Sequence, residues 1–135
     1  MYETLTAGTS ATRKIAVDRD RTIGFMGEDC RVYSTPSLIH DIEDACRDLI
    51  LGGVPEGQDS VGTKVSVAHL SPTILGMEAT ITVTISEIEG RRVVFEVSGT
   101  DTVEPICKGT HERFIVDVAK TAERLRQKSA KAQNP

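Results

Sequence analysis

Two hydrophobic periods divide this chain. Between Thr35 and Gly53 the apolar residues recur at helical spacing. Placed at 100° per residue, Leu38, Ile39, Ile42, Ala45, Cys46, Leu49 and Ile50 share one broad face, with Asp41, Asp44 and Asp48 opposite. Thr35 is a suitable N-cap, Pro36 suits the first helical position, and Gly52-Gly53 supplies a stop. The pattern predicts one amphipathic helix whose Asp stripe faces solvent. Beyond Pro55-Glu56-Gly57 the period becomes two: Val61, Thr63, Val65, Val67 and His69 share one parity before Pro72 ends the run. Ala79, Ile81, Val83 and Ile85 alternate with Thr80, Thr82, Thr84 and Ser86. Glu89-Gly90 then turns the chain into Val93, Phe95 and Val97, which predicts a hairpin of two long strands.

Weaker signals complete the order. Residues 11–17 predict a first strand, 105–116 a strand of poorer alternation, and 117–127 a short final helix. Residues 129–135 read as a flexible polar tail. Residues 21–34 have no clean period, two glycines and the aromatics Phe25 and Tyr33, as a loop that covers something would. A strand, a long helix and four consecutive antiparallel strands make an α+β fold. One antiparallel sheet can then wrap around a long central helix, in a single domain spanning 1–128.

Composition narrows the function. With 39% hydrophobic and 27% charged residues, the 135-residue chain suits one globular domain. Its net charge of -4 excludes a phosphate-tracking nucleic-acid binder. No stretch approaches a membrane-spanning length and no basic, then apolar, leader opens the chain, so a cytoplasmic protein without a membrane partner is expected. Cys30, Cys46 and Cys107 are odd in number and lack a Cys-x-x-Cys pair, and read as reduced thiols. No histidine pair has metal-ligand spacing, and no metal is expected. P-loop, Gly-x-Gly-x-x-Gly and Gly-x-Ser-x-Gly motifs are absent from the sequence.

Three residues carry candidate chemistry. Glu43 lies at the edge of the apolar helix face beside Ile39, Cys46 and Ile50, where desolvation raises a carboxyl toward acid–base duty; the simpler reading is an i,i+4 pair with Arg47. Thr35 opens the helix, where backbone amides and the dipole suit an oxyanion; its simpler role is the cap. His69 ends a strand with inward parity, and is either a base or a packed ring. His40 and His111 lack that parity.

Taken together, Thr35 and Glu43 eight residues apart, Val67-Ala68-His69, Ile88-Glu89-Gly90-Arg91-Arg92 and Gly109-Thr110-His111-Glu112-Arg113 resemble the fluoroacetyl-CoA thioesterase family, from about Gly8 to Lys128. The resemblance implies a hotdog fold, a homodimer with active sites at the subunit interface, and a catalytic set of Thr35, Glu43 and His69. It also implies Gly62 and Arg113 as substrate contacts. Left to themselves, these two read equally as a bulge glycine and a surface ion-pair arginine. The implied reaction hydrolyses an acyl-CoA or related thioester, with CoA as part of the substrate and no cofactor. Residues 21–34 depart from the family: they are shorter and poorer in aromatics than the lid of members selective for fluoroacetyl-CoA, so another acyl group is expected. Two rival readings are a hotdog hydratase or dehydratase and a non-catalytic acyl-CoA-binding protein. One geometric constraint stands beside all of these. Eight residues of helix rise about 12 Å, so Thr35 and Glu43 cannot touch if both are helical. Either the chain folds back before the helix, or two subunits share the site.

Overall fold

The computed structural model describes residues 2–134. Strand β1 (Ser10–Ala16) leads through two short 3-10 turns into helix α1 (Thr35–Leu51). Strands β2 (Gln58–His69), β3 (Glu78–Glu89), β4 (Arg92–Thr100) and β5 (Pro105–Asp117) follow, and helix α2 (Val118–Gln133) ends the fold. The five strands form one antiparallel sheet in the order β1-β3-β4-β5-β2, with α1 packed on its inner face. This is the expected α+β hotdog arrangement.

The core follows from the two periods. Leu38, Ile42, Ala45, Cys46 and Ile50 of α1 pack on Ala79, Ile81, Val83 and Ile85 of β3 and on Val93, Phe95 and Val97 of β4. Gly90 takes φ 60° in the two-residue loop between β3 and β4, a conformation glycine adopts without a Cβ clash.

Several expectations are corrected. Ser34, rather than Thr35, is the N-cap: its side chain accepts a hydrogen bond from Ser37 N–H, and Thr35 and Pro36 are the first two helical residues. Asp41 does not belong to a solvated stripe. It is 3% exposed, because Arg21 and Tyr33 fold over it from the preceding loop. The final helix, expected over 117–127, runs from Val118 to Gln133. The parity of β2 breaks at an irregularity between Gly62 and Lys64. Val65, Val67 and His69 pair with the inward positions His111, Gly109 and Cys107 of β5, whereas N-terminal to the bulge the inward residues are Ser60 and Gly62, opposite Ile115 and Arg113. Val61 therefore turns outward. Strand β2 is an edge strand, and residues 61–66 are all exposed, with Val61 46% and Val65 42% accessible.

Candidate active site

Because Ser34 satisfies the helix start, the Thr35 hydroxyl is free for another partner. It lies 2.8 Å from His69 Nδ1, across the cleft between the start of α1 and the end of β2. His69 is carried there by the register that sets it opposite Cys107, continued by Leu70 N–H donating to the Ile106 carbonyl. The Tyr33 ring meets the imidazole edge to face, with centroids 6.5 Å apart. Burial holds the His69 pKa below its ordinary value, which favours the neutral imidazole a base requires. Its Nε2 is buried without a hydrogen-bond partner among the described residues. A buried polar nitrogen with no partner is costly, and marks a place where an acceptor or donor is missing.

The first turn of α1 also offers an oxyanion donor. Pro36 has no N–H, Ser37 N–H is bonded to Ser34 Oγ, and Leu38 N–H to the Ser34 carbonyl. The Thr35 amide is left for a ligand, beside its own hydroxyl. These groups open into a cleft of about 480 Å³ that Ile23, Phe25, Val32 and Leu70 also line. The roof comes from residues 21–34, which are strapped down by bridges Thr22 to Tyr33 and Val32 to Ile74. Below it, Asp41 accepts from Arg21 Nε at 2.9 Å and from the Tyr33 hydroxyl.

A second group forms around Gly62. A Cβ at this position would lie 3.1 Å from Glu43 Oε1, 3.1 Å from His111 Cε1 and 3.5 Å from Arg113 Nη1, so the missing side chain leaves a cradle bordered by all three. Arg113 is buried, which lowers its pKa, and the nearby Glu43 charge acts against that shift. It has no ion pair within 4 Å among the described residues. Its Nε donates to Ser60 Oγ at 2.7 Å, its Nη2 to the Ser60 carbonyl at 2.7 Å, and its Nη1 lies 3.2 Å from His111 Nε2. His111 Nδ1 is 2.8 Å from the Lys64 carbonyl. A carbonyl only accepts, so Nδ1 carries the proton and Nε2 accepts from Arg113. His111 is 1% exposed, which corrects the reading that denied it inward parity. The Glu43–Arg47 pair does not form: Arg47 reaches Asp59 at 2.7 Å, leaving the half-buried Glu43 with no salt bridge among the described residues.

Other chemistry recedes on the same geometry. Burial pushes the Cys46 thiol up to about 12 and the Cys107 thiol to about 11, so neither supplies a thiolate nucleophile. His40, Asp41 and Asp44 bring ligand atoms within 4.8 Å of one another, but Asp41 is already bonded to Arg21 and Tyr33.

The expected site residues thus fall into two groups within one chain: Thr35 with His69, and Glu43 with Gly62 and Arg113. Sequence reasoning missed Ser34, Tyr33, Asp41, Ser60 and His111. For His111 a signal existed, since it shares strand parity with Arg113, two residues on.

Comparison with known proteins agrees with this architecture. The family model described as fluoroacetyl-CoA-specific thioesterase matches residues 17–119. The fluoroacetyl-CoA thioesterase of Streptantibioticus cattleyicolor is 34% identical over 98 residues, covering 73% of this chain and 70% of that protein. A solved structure of a fluoroacetyl-CoA thioesterase superposes with TM-score 0.85 at 29% identity, over 92% of this chain and 97% of the other. A hot-dog-like protein from Thermanaerovibrio acidaminovorans gives TM-score 0.86 at 27% identity, over 93% and 94%.

Proposed function

Since the chain belongs to the fluoroacetyl-CoA-specific thioesterase family and is an acyl-CoA thioester hydrolase, we propose that it works through a composite site, with Thr35 and His69 from one subunit of a homodimer and Glu43, Gly62 and Arg113 from the other. The observation that carries this reading is the contact of 2.8 Å between Thr35 Oγ1 and His69 Nδ1, with His69 Nε2 buried and unpartnered behind it. Thr35 attacks the thioester carbonyl while its proton passes to His69 Nδ1. The Thr35 amide stabilises the oxyanion, the C–S bond breaks, and the thiolate takes the proton from His69. Water then attacks the Thr35 ester, its proton again going to His69 and from there to Thr35 Oγ1. The sum is thioester plus water to acid plus thiol.

With Nδ1 accepting from Thr35, Nε2 carries hydrogen and requires an acceptor, most of all when the ring becomes cationic. Within the chain, Glu43 stands about 12 Å of helix from Thr35. Glu43 of the partner subunit satisfies the requirement if two copies join along β2, whose residues 61–66 are exposed on an unpaired edge, and the side chains that cover Nε2 in the single chain shift on association. Long exposed edges are sites of strand addition. Gly62 and Arg113 then face the acyl group. No described helix is long and apolar enough to cross a membrane, and the three free cysteines suit the reducing cytoplasm.

The test is thiol release from a panel of short, branched, aromatic and fluorinated acyl-CoAs, with Thr35→Ala and Glu43→Ala proteins assayed singly and after co-refolding. Each alone is inactive. Mixed one to one, half the dimers are hybrids with one intact site of two, so about a quarter of wild-type activity returns. No recovery in verified hybrids refutes the composite site. Saturable binding without thiol release from any ester, or release of double-bond isomers without free CoA, refutes hydrolysis itself. The shorter loop 21–34, whose Phe25 is 82% exposed, supports an acyl group other than fluoroacetyl; fluoroacetyl-CoA outperforming the panel overturns that part.

A further inference from the structure

We infer that His111 is a positioning residue of this hydrolase, a neutral imidazole that holds the Arg113 guanidinium against the Gly62 cradle without neutralising it. The inference rests on the reading of Arg113 as an acyl contact. A buried arginine is ordinarily matched by a carboxylate. Arg113 is instead fixed by three uncharged acceptors: the Ser60 hydroxyl, the Ser60 carbonyl and His111 Nε2. Held in this way, the guanidinium keeps its full charge and two unused N–H groups for a ligand, while its plane is fixed by three contacts. A carboxylate at position 111 would orient the arginine equally well and cancel the charge.

The imidazole is itself set by the bulge in β2. The irregularity between Gly62 and Lys64 lies where the Lys64 carbonyl receives His111 Nδ1–H at 2.8 Å, which fixes the tautomer with the Nε2 lone pair toward Arg113. One local distortion therefore turns Gly62 inward and locks the ring beside it. Only the neutral ring can do this. A proton on Nε2 would replace the acceptor with a second cation 3.2 Å from the guanidinium. The charged groups acting on His111 are Arg113 on its own strand and Glu43 from α1 on the inward side, with Glu112, turned outward toward Arg92, acting from the adjacent position. Burial and Arg113 push its pKa down, while the Lys64 carbonyl, Glu43 and Glu112 act in the other direction; the net shift is downward.

The experiment is a double-mutant cycle on kcat/KM with the preferred acyl-CoA, using His111→Leu and His111→Gln in wild-type and Arg113→Ala backgrounds, with Tm recorded for each protein. His111→Leu is expected to lower kcat/KM by about tenfold to a hundredfold in the wild type, but by less than about twofold once Arg113 is alanine. His111→Gln, whose amide oxygen can accept in place of Nε2, recovers activity to within about threefold. Its acid limb is also shallower by one proton, because only His69 of the two histidines must still be neutral. Equal losses in both backgrounds, or wild-type kinetics in folded His111→Leu, overturn the inference. If His111→Leu does not fold, an unchanged acid limb in His111→Gln overturns it. Full activity of Arg113→Ala alone overturns instead the acyl-contact reading beneath it.

Discussion

Replacing Gly62 with alanine fills the cradle with a single methyl group and leaves the fold nearly untouched. Gly62 is not among the glycines with positive φ, so alanine meets no backbone strain. In a strand interior the exchange favours folding by about 0.5–1 kcal/mol. Against this stands the contact geometry, with the new Cβ 3.1 Å from both Glu43 Oε1 and His111 Cε1, tighter than ordinary van der Waals contact. His111 is bonded through both ring nitrogens and Arg113 through three donors, so the Glu43 carboxylate, which no ion pair of its own chain holds among the described residues, is the group that yields, by a few tenths of an ångström. The two effects nearly cancel, and Tm is expected within about 4 °C of the wild type, the equivalent of about 1 kcal/mol. Activity has no such compensation. The methyl occupies the space through which an acyl group would approach, and displaces a carboxylate that must be placed to better than an ångström. A fall in kcat/KM of at least about tenfold follows, or about 1.4 kcal/mol of transition-state stabilisation. The assay is continuous thiol release across a substrate range, paired with thermal melts of the same samples. Wild-type kcat/KM in the alanine variant refutes the reasoning. So does a drop in Tm of ten degrees or more, which would make the cradle a structural necessity.

Three further outcomes follow from the geometry. Ser34→Ala loses the acceptor for Ser37 N–H and should cost about 1 kcal/mol while keeping most of the thiol release, whereas Thr35→Ala should leave Tm within a degree or two and lower the rate at least about a hundredfold; melts and kinetics on the pair show whether cap and hydroxyl are separate. Gly109→Ala places a Cβ 2.0 Å from the Ser66 carbonyl oxygen, a backbone clash that forces β2 away from β5, and should destabilise by about 4 kcal/mol or more, read by urea melts or by loss of soluble protein. Folded pKa values of His69 and His111 lie below the ordinary value near 6.5, so the unfolded chain takes up protons first as pH falls; stability is complete above about pH 6.5 and should decline steadily toward pH 5, checked by urea midpoints, well before the lowered carboxylates Asp59, Asp101 and Asp117 begin to lose theirs.

The framework was legible because helix α1, strand β3 as far as Ile85 and strand β4 from Val93 to Val97 keep clean periods, and most of the apolar positions in them are spent on the core. Strand β5 was harder to read for a physical reason. Its inward positions are Cys107, Gly109, His111, Arg113 and Ile115, so the residues that build the cradle are those that erase the apolar alternation. Strand β2 misled in a related way, since no single parity survives a bulge, and a bulge has no fixed sequence signature. The cap was misplaced by one residue because Ser34 and Thr35 both suit it. Only the structure separates the serine that closes the helix from the threonine that faces the histidine. Asp41 joined the solvated stripe on the helical wheel because a wheel carries no information about a loop folding back from 20 residues earlier.

That same loop has an evolutionary consequence. Arg21 and Tyr33, its two ends, are both tied to Asp41 on the helix that carries Thr35, while the stretch around Phe25 and Met26 stands clear of that tie and is exposed. The outer turn can therefore be lengthened, shortened or rewritten by drift without altering the spacing of hydroxyl and imidazole beneath it. Descendants of one ancestral hydrolase can diverge in diet while inheriting the same cutting chemistry, and a library randomised at Phe25 and Met26, leaving Gly24 beside Arg31 and Gly27 at φ 89° unchanged, should sample new acyl preferences with few casualties of folding.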